Sequence, residues 1–183
     1  DAQKAFERSF AAGKTALEAA DFAGELNSQS STAQKAFNRA FDQGLDVQDA
    51  FELSQQINAM PKTAQNYYEF ATSFGLKPTD AAGIVTDVSG MSNVAQQVFF
   101  DNLAQKYDTE AALSAAQGVN SLNAAQQSTY FNAKLNGLDP ELAMNAAREV
   151  GGLSRDQQNT YINSLRNGVN PDIAKVLAAL QFD

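Results

Sequence analysis

The sequence contains no cysteine, no histidine and no tryptophan. Without cysteine there is no disulfide and no thiolate chemistry. Without histidine the commonest general base and the commonest zinc ligand are both missing. No apolar run approaches the roughly 18 residues of a membrane span. The opening residues carry no basic segment followed by an apolar one, so no secretory signal is expected among them. They assign no compartment. Positive charge is also scarce. Thirteen Lys and Arg face 21 Asp and Glu, a formal net charge of −8. A phosphate-binding surface shows the opposite balance, which disfavours nucleic acid as the main partner.

What is present is a repeat. The phrase QGLDVQDA at 43–50 returns as FGLKPTDA at 74–81, NGLDPELA at 136–143 and NGVNPDIA at 167–174. Its cap position falls at Asp46, Lys77, Asp108, Asp139 and Asn170, 31 residues apart each time. One column at this period is Gln3, Gln34, Gln65, Gln96, Gln127 and Gln158. A second is Phe6, Phe37, Tyr68, Phe99, Tyr130 and Tyr161. A third is Ala19, Ala50, Ala81, Ala112, Ala143 and Ala174. A fixed period in this range signals a repeat architecture.

Each repeat reads as two helices. Helix A starts after a good N-cap, at Ser30, Ser92, Asn123 and Ser154, with Pro61 in that place once. It ends at a Gly column, Gly13, Gly44, Gly75, Gly137 and Gly168, where a left-handed residue is needed. Lys106 is the exception, and its turn is expected to differ or to carry strain. Helix B then carries apolar residues at helical spacing, as in Ala50, Leu53 and Ile57. GIVTDV at 83–88 looks like a strand by itself, but its columns place it in helix B. One hairpin cannot bury its own stripe, whereas stacked hairpins can. The expected fold is all-α, a right-handed-type α-solenoid of six helix-turn-helix repeats. They form one array over 1–183, as 1–31, 32–62, 63–93, 94–124, 125–155 and 156–183.

The hairpin pattern and the phrase GLDPELA resemble the α-solenoid repeat families, tetratricopeptide and pentatricopeptide repeats above all. The likeness is architectural and covers all six repeats. The period is shorter than the roughly 34 residues of the tetratricopeptide unit. What the resemblance implies is binding of a ligand along an extended face, of peptide or protein, or of RNA for the pentatricopeptide type.

Candidate chemistry is sparse. The Gln column reads as a set of hydrogen bonds to the turns between repeats. The alternative is an amide ladder gripping an extended peptide. The aromatic column reads as core, with the three Tyr hydroxyls expected at a wet edge. The alternative is a stacking platform. Lys4, Arg8, Lys35 and Arg39 form a basic stripe on helix A, expected to face solvent. Asn132 and Asn163 lie further along it, and these six are the candidate ligand-binding residues. Acidic residues crowd the first turns of helix B: Glu18, Asp49, Asp80, Glu110, Glu141 and Asp172. Favourable placement at the positive end of the helix dipole explains them. No calcium-loop spacing, phosphate loop or nucleophile–base pair is present. No catalytic residue, metal or cofactor is therefore expected.

The last helix is unusually apolar, through Ile173, Val176, Leu177, Leu180 and Phe182. Soluble arrays usually end in a polar capping helix. The stripe suggests a partner, self-association or a further domain. The expected function is a non-catalytic binding or scaffold module for a peptide or protein. The alternative is a self-assembling structural protein, with homo-oligomers formed through the C-terminal helix. RNA binding ranks third.

Overall fold

In the computed structural model, residues 2–180 are described. Phe182 lies outside them. The described residues form twelve helices and no strand. The odd-numbered helices are the A helices: α1 (Ala2–Ala11), α3 (Ser31–Asp42), α5 (Lys62–Ser73), α7 (Asn93–Ala104), α9 (Ala124–Leu135) and α11 (Arg155–Arg166). The even-numbered helices are the B helices: α2 (Ala16–Ser28), α4 (Val47–Ala59), α6 (Pro78–Ser89), α8 (Thr109–Asn120), α10 (Pro140–Val150) and α12 (Pro171–Ala179). Each A helix packs closely against the B helix that follows it, which is the expected pattern of helical hairpins. GIVTDV lies within α6. The chain forms two compact bodies of three hairpins each, one up to Gly90 and one from Met91.

Local chemistry sets the helix ends. The Ser30, Ser92, Asn123 and Ser154 side chains accept from backbone N–H groups three residues on. Asp46, Asp108 and Asp139 do the same for helix B. Each such cap contributes about 1 kcal/mol. The A-to-B turn is one motif used six times. In the second hairpin Gly44 N–H donates to Phe41 C=O at 3.0 Å and Leu45 N–H to Ala40 C=O at 3.1 Å. This doubled closure satisfies the last carbonyls of helix A and needs a left-handed residue, here Gly44 at φ 97°.

Lys106 adopts that conformation without being glycine, at φ 66°. Its turn does not differ from the others: Lys106 N–H donates to Leu103 C=O at 2.9 Å and Tyr107 N–H to Asn102 C=O at 3.1 Å. The turn geometry overrides the Cβ penalty, and the cost remains as backbone strain.

The Ala column is fully buried in all six hairpins. Around it pack Phe37, Tyr68, Phe99, Tyr130 and Tyr161, each at most 1% exposed. These five rings are core, as expected for the column, and are not exposed as the alternative stacking platform would require. The Tyr hydroxyls are buried too, which corrects the expectation of a wet edge. Tyr130 Oη accepts from Asn102 Nδ2 at 3.3 Å, while Tyr68 Oη and Tyr161 Oη have no partner. Burial pushes the Tyr68 phenol up to about 12.

Candidate functional site

The Gln column bolts the turns between hairpins. Gln34 Nε2 donates to Gln29 C=O at 3.0 Å, Gln65 to Met60 at 2.9 Å and Gln96 to Met91 at 2.9 Å. Gln127 donates to Leu122 at 3.1 Å and Gln158 to Leu153 at 2.9 Å. In each case the acceptor lies five residues back, in the turn leading into that A helix. Gln3 instead donates to Glu7 Oε1 at 2.9 Å. A ligand-gripping ladder would need these amides pointing away from their own backbone.

Much of the basic stripe is also committed to the protein. Arg8 lies under the next hairpin, its side chain 14% exposed. Its guanidinium donates to Asn38 C=O at 3.2 Å and Asn38 Oδ1 at 2.9 Å, and pairs with Asp42 at 2.5 Å. It also sits 4.8 Å from the Phe41 ring centroid. Arg39 donates to Thr72 Oγ1. Lys35 lies 3.5 Å from Glu69 Oε1, which also accepts from Thr32 at 2.8 Å. The Thr32 hydroxyl and Lys35 hold the Glu69 carboxyl below its ordinary value. The expectation of a solvent-facing stripe is therefore corrected at Arg8, because the offset to the next A helix brings acceptors over it. Lys4, Lys35 and Arg39 remain exposed. Further along, Asn132 Nδ2 donates to Asn159 Oδ1 at 3.1 Å, and Asn163 is exposed.

The B face of the C-terminal body is open. A groove of about 390 Å³ lies between α8 and α10. Ser114 lines one wall, Glu141, Asn145 and Arg148 the other, with Met144 alongside. Positions 141, 145 and 148 share one face of α10 by helical spacing. Among the described residues, none of these four polar side chains makes a hydrogen bond or ion pair. Gly118 lets Met144 approach α8, since a Cβ there would meet Met144 Cε at 2.6 Å. A smaller cavity of about 200 Å³ follows between α10 and α12, lined by Asn145, Glu149, Tyr161, Asp172 and Lys175. Lys175 pairs with Glu149, and that hydrogen bond raises its pKa. Asn145 borders both spaces. The sequence carries one sign of this groove: Arg148 stands in a column held by Gly24, Gln55, Thr86 and Gln117.

The B face of the N-terminal body differs. Helices α2, α4 and α6 carry Glu18, Asp21, Glu25, Asp49, Glu52, Asp80 and Asp87, and no Lys or Arg. Asp46, at the cap of α4, is the largest cause of a raised Asp49 pKa, followed by burial and Glu52.

Among the described residues, no three His, Cys, Asp or Glu side chains come together as a metal site, and no helix is long and apolar enough to cross a membrane. The chain matches no family model, no curated protein and no solved structure.

Proposed function

We propose that the chain is a non-catalytic binding module that takes an extended peptide or protein segment along its B-helix face, in the manner of tetratricopeptide-like arrays. One observation carries this reading. The A-face stripe is largely tied into bonds between hairpins, whereas the α8–α10 groove presents a guanidinium, an amide, a hydroxyl and a carboxylate with no internal partner. Such a set suits a peptide backbone, with an acidic side chain at Arg148 and a basic one at Glu141.

Selection of random displayed peptides on the full chain tests it. Selected peptides are expected to lose most of their affinity for a chain carrying Asn145→Ala and Arg148→Glu, and to keep it for one carrying Lys4→Ala. Equal binding to the groove variant and the parent would overturn the groove assignment. A second reading, a self-assembling structural protein, is favoured by the apolar residues exposed on α12.

A further inference from the structure

The repeat register allows the α12 stripe to be compared column by column with every internal joint. Ile173, Val176, Leu177 and Leu180 are 57%, 57%, 42% and 66% exposed. One period earlier, the first three columns hold Leu142, Asn145 and Ala146, and the fourth holds Glu149. Two periods earlier they hold Ala111, Ser114, Ala115 and Gly118. Ala111, Ser114 and Ala115 line the groove that α8 shares with α10. Asn145 and Glu149 line the cavity that α10 shares with α12. The α12 stripe therefore occupies the columns through which one B helix faces the next hairpin.

The Leu177 column is buried at Phe22, Leu53, Ala115 and Ala146. Phe22 shows what covers it: its ring lies 5.4 Å from Phe37 and 4.4 Å from Phe51, both in the following hairpin.

The same register defines the opposite wall of a joint. At the two C-terminal joints it is built by Pro140, Glu141 and Met144, then by Tyr161, Pro171, Asp172 and Lys175. The matching columns of the first hairpin hold Phe6, Ala16, Leu17 and Ala20. Leu17 is 74% exposed, and its column is polar in every other repeat: Gln48, Thr79, Glu110, Glu141 and Asp172. Internal joints in the C-terminal body are thus edged with charge and amide, while both end surfaces are apolar in complementary columns. Exposed apolar patches of this kind mark association sites.

We infer that the α12 stripe of one copy docks on the α1–α2 hairpin of a second copy, head to tail, in the register of an internal joint. Leu177 then takes the place of Phe22 and meets the second copy's Phe6 and Ala20, while Leu17 enters between Ile173 and Val176. The contact is heterologous: in a pair, the α12 stripe of one copy and the α1–α2 surface of the other stay uncovered, so association continues beyond the dimer. Every copy carries a net charge of −8, so added salt strengthens the association by screening repulsion.

Sedimentation velocity on the full chain over a hundredfold range of concentration tests this. Species beyond the dimer are expected, growing with concentration and with salt. Leu17→Glu and Leu180→Glu both alter exposed side chains. Each is expected to lower the apparent association constant roughly tenfold, because the joint loses an apolar side chain and gains a negative charge between two acidic copies. Mixing the two variants is the sharper arm. One keeps a sound tail and the other a sound head, so the mixture is expected to form a one-to-one complex that stops there. Leu135→Glu adds the same charge at a side chain 89% exposed on α9 and is expected to leave association unchanged. A chain monomeric throughout would overturn the inference. So would a Leu17→Glu variant that still associates, which would mean α12 pairs with itself. The peptide test of the α8–α10 groove is unaffected by either result.

Discussion

The two bodies use one backbone plan and hold their A helices together by different means. In the N-terminal body most of these cross-links carry charge, Arg8 to Asn38 and Asp42, Arg39 to Thr72, and Lys35 and Thr32 to Glu69, beside the neutral bond from Ser30 to Gln65. In the C-terminal body the hydrogen bonds are neutral, Asn132 to Asn159 and Asn102 to Tyr130, and the charged contact is Lys134 over the Tyr107 ring. The B faces differ as well. One carries seven acids and no base, while the other mixes both signs around an open groove. Caps, turns, the Ala column and the Gln bolts define the hairpin, and the side chains between hairpins are free to vary. Where they vary, the surface that each body presents varies with them.

The largest effect that would sharpen this contrast is expected from paired truncations. Arg8→Ala removes charge-assisted bonds from a mostly covered side chain and should cost about 2 kcal/mol. Asn132→Ala removes a neutral bond and should cost about 1 kcal/mol. Native-state hydrogen exchange, read separately over each body, measures both losses. Equal losses would mean that charge contributes nothing extra.

The tyrosines should give effects of opposite sign. Tyr130→Phe removes the hydroxyl that accepts from Asn102 and should cost about 1 kcal/mol. Tyr68→Phe removes a buried hydroxyl with no partner, and should be neutral or stabilising. Urea midpoints of the two variants decide the matter.

Lys106→Gly, in the one A-to-B turn that lacks glycine, should stabilise the C-terminal body by about 1 kcal/mol or slightly less. Thermal unfolding would detect it as a raised midpoint. A lowered midpoint would show that the Lys106 side chain contributes more than its backbone strain costs.

The smallest effect is a pH dependence. The raised Asp49 pKa means that folding favours its protonated form. The resulting penalty is present in full above the raised folded pKa and disappears below the ordinary carboxylate value. Asp49→Asn should therefore stabilise the N-terminal body slightly at pH 7 and make no difference in strong acid. Glu69 behaves in the opposite sense. Its lowered pKa supplies stability above the ordinary carboxylate value, lost as pH falls through the folded one. Glu69→Gln should flatten the acid limb of the stability curve.

The hairpins, their caps and their glycine turns were legible in the sequence because each rests on contacts within a few residues. The Gln bolts belong to the same class, reaching five residues back. The Arg8 clasp was not legible from its own repeat, because its partners Asn38 and Asp42 are 30 and 34 residues ahead. Reading each polar side chain against the residues one period on, with a helical turn either way, would have found it. The Tyr hydroxyls were misjudged because a Phe/Tyr column gives no measure of depth. The groove was missed because its walls come from two repeats and its charge from a single departure, Arg148.

The Gln bolt has a consequence for how such a chain grows. Donor and acceptor are separated by five residues, so any segment cut one period long at the A-to-B turn carries its own fastening with it. Tandem duplication or deletion of such a segment leaves each Gln with its acceptor. Chain length can drift by whole hairpins while each new junction is closed from the start, and selection is left to act on the few side chains that face the neighbour.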